Sequence, residues 1–201
     1  MAAGRNIGVA VDFSPCSKNA LRWAAANLAS SGDRLILIHV KASYQYEQGV
    51  AHLWERDGSP LIPMLELSDP RVSKIYGLAV DRETLEILTR AAGQRCVQVF
   101  AKVLWGDPAR KLTEAVHKLP LHWLVVGNRG LGTVKRYLFS SFMLIDLADR
   151  LIDDHCTDLE LMVVGVRVLM GSVSTYVVNH AACPVTVVRE NMLPSAQPAS
   201  Y

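Results

Sequence analysis

The sequence predicts an open, doubly wound α/β fold built on a five-stranded parallel sheet. Two observations point there: five short runs rich in Val, Ile and Leu stand between turn residues, and segments with helical periodicity and cap signals separate them. The runs are 6–12 (NIGVAVD), 34–41 (RLILIHVK), 97–104 (VQVFAKVL), 122–127 (HWLVVG) and 184–189 (PVTVVR). Their nearly unbroken apolar character implies cover on both faces, as in parallel strands lying between helices. After the first run, Ser14 caps a helix with Pro15 at its first position, and Leu21, Ala24, Ala25 and Leu28 recur on one side. A second helix spans 81–95, with Leu85, Ile87, Leu88 and Ala91 facing inward. Asp107-Pro108 repeats the cap signal ahead of Leu112, Ala115, Val116 and Leu119. Right-handed crossovers then wind the sheet on both sides. Residues 42–80 carry Pro60, Pro63 and Pro70 without periodicity and read as a long excursion with one helical turn.

Composition narrows the function classes. The chain has 201 residues, 50% hydrophobic and 20% charged, which suits one globular domain with a full core. Lys plus Arg is 21 against 19 for Asp plus Glu, a net charge of +2, so no electrostatic footprint for nucleic acid is present. No apolar run reaches the ~18 residues of a membrane span, and the start MAAGRNIGVAVD is unlike a secretory signal. Cys16, Cys96, Cys156 and Cys183 show no C-x-x-C pair, which fits reduced thiols. These features together predict an intracellular, cytoplasmic or also nuclear, protein.

In an open parallel sheet, ligands sit beyond the carboxyl ends of the strands where the strand order reverses. That directs attention to the segments after Asp12, Lys41 and Gly127. The third sends a buried strand into Gly127-Asn128-Arg129-Gly130-Leu131-Gly132-Thr133, and glycines let backbone amides approach an anion closely. A phosphate cradle and a tight turn without ligand both fit it. No Gly-Lys-[Ser/Thr] follows, and Lys135 stands where a dinucleotide fingerprint has its third glycine.

Across nearly its whole length the chain resembles the universal stress proteins, in particular the plant-type, ATP-binding branch. The residues that carry the resemblance are GVAVDFSPCSKNALRWAAANL, LEILTRAAG, AKVLWGDPARKL, VVGNRGLGTVKR and GSVSTYVVNHAACPVTVV. The resemblance implies a Rossmann-like sheet and the nucleotide signature G-x2-G-x9-G-[S/T]. Its first half matches Gly127 and Gly130, with Arg129 between them; its second half matches Gly171-Ser172, and Val173-Ser174 open the last helix. By the same resemblance the glycines and hydroxyls hold phosphates, Asp12 lies by the adenosine and Val40 frames adenine. The ligand implied is ATP or AMP, with or without Mg2+, and the partner implied is a second copy of the chain, paired through the 184–189 edge strand. A stress-response sensor or adaptor, with slow hydrolysis at most, follows.

One departure from the family pattern is large. Residues 131–170 are 40 residues where the motif has nine, a surplus of 31. Joining Leu138 to Met170 restores the spacing, so 139–169 reads as an insert in a single domain covering 1–190, with a flexible tail at 191–201. The insert holds six acids and two bases, a net −4, and leaves +6 on the rest. Phe142, Leu144, Ile145, Ala148, Leu151 and Ile152 trace a helical stripe, and Leu161–Val168 reads as a strand. Val163–Gly165 echoes Val125–Gly127 and competes with it for the same place in the sheet. Closing 40 residues instead of nine costs only about 1–1.5 kcal/mol, so the fold tolerates the insert. A displaced helix terminus, however, loses its hold on an anion within a turn. The alternative function is therefore an interaction module that binds no nucleotide because 139–169 disrupts its phosphate loop.

Other residues offer weaker signals. Cys16 lies where a helix dipole lowers a thiol pKa, although a small buried cysteine explains it equally. Ser14-Pro15 matches a proline-directed phosphorylation site and equally a cap. Lys135 and Arg136 fit phosphate contacts or a solvated helix start. His155-Cys156 is too little for a metal site, and neither H-E-x-x-H nor G-x-S-x-G occurs, so no catalytic or metal-binding constellation is expected.

Overall fold

A computed structural model describes residues 4–41, 54, 56–128 and 171–189. In chain order the elements are β1 (Asn6–Ala10), α1 (Pro15–Trp23, continued by a π-helical turn over Ala24–Leu28), β2 (Arg34–Lys41), β3 (Ile62–Pro63), α2 (Met64–Leu67), α3 (Pro70–Tyr76), α4 (Arg82–Arg95), β4 (Gln98–Trp105), α5 (Pro108–Lys118), β5 (Trp123–Gly127), α6 (Ser172–His180) and β6 (Val185–Val188). The helix numbering counts the described residues. All of these elements lie in the unit formed by Met1–Asn128 and Ser172–Tyr201; Arg129–Gly171 form a second unit. The helical stripe, the Leu161–Val168 run and His155-Cys156 expected in the insert, together with Lys135, Arg136 and the 191–201 tail, lie outside the described residues.

The local sequence sets the helix starts as expected. Ser14 and Asp107 cap α1 and α5 ahead of Pro15 and Pro108, and Asp81 caps α4 through the Thr84 amide at 2.9 Å. At the far end of α4, Cys96 takes the left-handed conformation (φ 52°, ψ 41°) that glycine adopts without a Cβ penalty. Cys96 is exposed, so Cys96→Gly should stabilise the fold by about 0.5–1 kcal/mol, read as a higher urea midpoint at unchanged slope.

The sheet order is β3-β4-β2-β1-β5-β6. The five expected strands are present and parallel, and β3 adds a sixth, antiparallel to β4 through Ile62↔Ala101 and Pro63↔Phe100. The excursion before residue 80 thus holds a strand and two helices where one helical turn was expected, since elements of two, four and seven residues are too short for periodicity to register. This segment covers the outer edge of β4. Ser59 donates its amide to the Val103 carbonyl, and its hydroxyl accepts the Val103 amide, both at 2.9 Å. The opposite edge is β6, which among the described residues pairs with β5 alone. Within the sheet, β5 pairs with β1 on one side and β6 on the other, so Val125–Gly127 fills the place for which Val163–Gly165 was a competitor.

The unbroken apolar strands are explained by two cores. In β2, Leu35 and Leu37 face a core shared with Ile7, Val9, Leu21, Leu88 and Val125. Ile36 and Ile38 face another with Leu112, Val116, Leu124, Val126 and Val177. Successive side chains therefore enter opposite layers, and both layers are helix-covered.

Candidate functional site

The register of the central strands brings three predicted residues to one level. Ala10 pairs with Ile38, and Val9 with Val125. Continued two residues past those pairs, this register sets Asp12, just beyond β1, level with Val40 and Val11 level with Gly127, at the carboxyl ends of the three strands. Here the chain leaves β1 toward β2 on one side and reaches β5 on the other, which is the position where open α/β sheets take ligands.

The turn after β1 is held by its own side chains. Asp12 is exposed, and its Oδ1 accepts the Ser14 amide at 3.0 Å and the Ser14 hydroxyl at 2.5 Å. Ser14 Oγ in turn accepts the Ser17 amide at 3.4 Å, while Ser17 Oγ donates to the Ser14 carbonyl at 3.0 Å and accepts the Asp12 amide at 3.3 Å. Between them, Phe13 sits at φ 60°, a strained conformation for a bulky residue. Its ring lies 5.1 Å from that of His39. His39 Nδ1 donates to the Val11 carbonyl at 2.8 Å, since a carbonyl can only accept. Burial, helped by the Lys41 charge, holds His39 below its ordinary pKa against the pull of Val11 and Asp12. At neutral pH the ring is therefore uncharged.

Gly127 brings β5 against the first turn of α1. A Cβ there would lie 2.6 Å from the Cys16 carbonyl oxygen, 2.8 Å from its carbon and 3.0 Å from the Ser17 nitrogen. On the other side the Ser174 hydroxyl donates to the Gly127 carbonyl at 3.4 Å. Because β6 runs parallel to β5, α6 starts at the same end of the sheet as α1. Ser172 is exposed at that start, Val173 packs against the second core and Ser174 is buried. Next to Gly127, Asn128 is buried and its amide donates to the Val188 carbonyl at 2.9 Å.

The structure thus brings Asp12, Val40, Gly127 and Ser174 to one end of the sheet, with Ser172 and Val173 on the same helical turn as Ser174. Arg129 and Gly130 lie outside the described residues. Gly171 is exposed and falls in the second unit. Sequence reasoning missed Phe13, Ser17 and His39. The spacing Ser14-Pro15-Cys16-Ser17 carried a signal for Ser17, a second hydroxyl three positions after the cap; nothing in the pattern marked a left-handed Phe13 or a half-buried His39.

A family model described as "Universal stress protein family" matches residues 4–143 and 161–189. The chain belongs to the universal stress protein family. The unmatched residues 144–160 fall inside the segment read as an insert. Among relatives, the chain is 26% identical over 196 residues to universal stress protein PHOS32 of Arabidopsis thaliana, covering 93% of this chain and 65% of that one. It is 26% identical over 198 residues to universal stress protein PHOS34 of the same plant, with 93% and 62% covered. It thus spans less than two thirds of either relative. Among solved structures, a universal stress protein family protein of Arabidopsis thaliana with AMP bound shares 20% identity, covering 96% and 97% of the two chains, at a TM-score of 0.48. A universal stress protein in complex with cAMP shares 20% identity at a TM-score of 0.49, with 94% and 98% covered. Among the described residues, no helix of this universal stress protein is long and apolar enough to cross a membrane.

Proposed function

We propose that this universal stress protein binds ATP or AMP where β2, β1 and β5 end, and acts as a dimeric sensor or adaptor in a stress response. The observation that carries the reading is that Asp12, just past the end of β1, lies at the same end of the sheet as Val40 of β2 and Gly127 of β5, beside the starts of α1 and α6. An ionised Asp12 is an acceptor suited to ribose hydroxyls. Two helix N-termini at one end of the sheet favour phosphate oxygens. Ser172 and Ser174, with Arg129, Gly130 and Gly171 of the family signature, supply the remaining phosphate contacts. A bound Mg2+ accompanies the triphosphate only. The protein works in the cytoplasm or nucleus, as one domain interrupted at 139–169, without nucleic acid and without turnover beyond slow hydrolysis.

Dimerisation uses residues 184–189. The β4 edge is covered by Ser59 and β3, whereas among the described residues no strand lies on the outer side of β6. An uncovered edge offers backbone groups to a second copy. Sedimentation at micromolar concentration should give a dimer, and a monomer of the folded chain would reject this part of the reading.

A second reading, a module that binds no nucleotide, is favoured by one observation: the need to avoid α1 explains Gly127 without any phosphate. Calorimetric titration of ATP and AMP into the full chain, into Asp12→Ala and into a chain lacking 139–169 separates the two. The first reading expects saturable binding by the full chain and a loss of about tenfold or more in Asp12→Ala, the value of a charged hydrogen bond. Binding by the deletion alone establishes the second reading. Silence from both folded proteins rejects nucleotide binding.

A further inference from the structure

Three aromatic side chains and one lysine gather where β2 and β4 end, apart from the residues assigned to nucleotide. Lys41, the last residue of β2, is in register with Trp105, the last residue of β4. The alternation that sends Leu35 and Leu37 to the first core sends Lys41 to the same side, and Tyr76 and Trp105 both pack partly against that core. Trp54 joins them: its ring lies 5.0 Å from Tyr76 and 6.2 Å from Trp105, the two indoles being inclined by only 19°. All three aromatics are half-buried, so each combines a packed side with an accessible one. Tyr76 is followed by Gly77, whose carbonyl accepts the Lys41 ammonium at 3.1 Å. Gly77 takes φ 60°, and a side chain there would collide with the lysine. The ammonium is thus held at the residue that follows Tyr76, by a backbone conformation that suits glycine.

Among the described residues no carboxylate pairs with the Lys41 ammonium. The ion pairs among the described residues join other lysines and arginines to carboxylates, and Lys41 has only a neutral carbonyl. Its field reaches His39, which it helps to hold in the uncharged form. Aromatic faces alone would suit a planar ligand or a quaternary ammonium ion. An adjacent lysine repels the latter and selects an anion. A single ammonium, with no second cation in the cluster among the described residues, matches a monoanion better than a polyphosphate.

We propose that Lys41, Trp54, Tyr76 and Trp105 form a site for a small planar aromatic carboxylate, whose ring stacks on the indole and phenol faces while its carboxylate accepts from the Lys41 ammonium. The site is separate from the nucleotide site and does not depend on it. Charge and stacking make distinct contributions, so three ligands with one ring system test it: 2-naphthoate, the neutral 2-naphthylmethanol and the 2-naphthyl trimethylammonium ion. Calorimetry on the full chain should show saturable binding of the acid, about fivefold weaker binding of the alcohol and none of the cation. Lys41→Met should bring acid and alcohol to equal affinity. Trp54→Leu should weaken both by about tenfold, the usual loss of an aromatic stacking partner. Saturating ATP should leave the acid's affinity unchanged. The proposal is overturned if the folded wild-type chain binds no naphthoate, if the alcohol or the cation binds as well as the acid, if Lys41→Met keeps the preference, or if ATP displaces the acid. The ligand comparison on the wild-type chain decides the matter even where a variant fails to fold.

Discussion

Replacing Gly127 by alanine will destabilise the protein by about 2 kcal/mol, lowering its melting temperature by about 4–8 °C. The added methyl meets backbone, not the mobile end of a side chain: the Cys16 carbonyl and the Ser17 nitrogen, at 2.6–3.0 Å. Relief therefore requires β5 or α1 to move. β5 is held by β1 and β6 through paired backbone groups, and α1 is held by Ala20, Leu21 and Ala24, all fully buried. Overpacking against backbone that cannot yield falls at the upper end of its usual range, about 3 kcal/mol, and a strand alanine recovers about 0.5–1 kcal/mol over glycine, which leaves about 2 kcal/mol. Gly93 is the control. It lies inside α4 with no atom within 4 Å of its would-be Cβ, so Gly93→Ala should raise stability by about 0.5–1 kcal/mol. If Gly127→Ala melts like wild type, the contact of β5 with α1 is looser than described.

This steric demand also limits what the glycine signature says about function. A variant at Gly127 that loses nucleotide affinity has lost it through a displaced α1 as readily as through a lost cradle. Ser172 is the more informative position, because its side chain is exposed and lies in no core, whereas Asp12, though exposed, also holds the turn through Ser14.

The contrast between legible and illegible features follows the range of the interactions. Strands such as Arg34–Lys41, whose bounds the structure reproduces, were legible because both faces are buried and every residue must be apolar or reach an end. The caps at Ser14, Asp81 and Asp107 were legible because they act within one turn. Ser59 was not: its value lies in replacing a strand partner for Val103, 44 residues away. The left-handed Phe13 and Cys96 were hidden for a related reason, since neither residue type marks that conformation. At the site, Asp12, Val40 and Gly127 could be picked out one by one through the family resemblance. Their common level came from strand register, which no local pattern records. The Trp54, Tyr76 and Trp105 cluster is assembled from three separate segments and was invisible in each.

The second large effect is expected at Asp33, a residue no motif marked. Asp33 is buried before β2, with its side chain 6% exposed. Its Oδ1 accepts the Arg5 amide at 2.9 Å and Arg5 Nε at 3.3 Å; its Oδ2 accepts Arg5 Nη2 at 2.6 Å and the Ser30 amide at 3.0 Å. The same residue's backbone carbonyl accepts the Gln98 amide at 2.9 Å, so one position ties the entries of β1, β2 and β4 together. Asp33→Asn keeps the shape but removes the charge and turns one acceptor into a donor facing donors. Breaking a buried pair costs about 3–5 kcal/mol. Arg5 remains 42% exposed and can be rehydrated, which lowers the expected loss to about 2–3 kcal/mol, or about 5–10 °C in melting temperature. The pH dependence gives an independent check. Burial alone would raise the Asp33 pKa, but the Arg5 guanidinium and the Arg5 and Ser30 amides outweigh it and hold the carboxyl below its ordinary value. The unfolded chain takes up the proton near pH 4, so the stabilisation is complete above that pH and is lost as pH falls through the lower folded value. Melting curves between pH 7 and 2 should therefore show an acid-side decline that is shallower in Asp33→Asn. Parallel declines in the two proteins would mean that Asp33 titrates alike in the folded and unfolded chains.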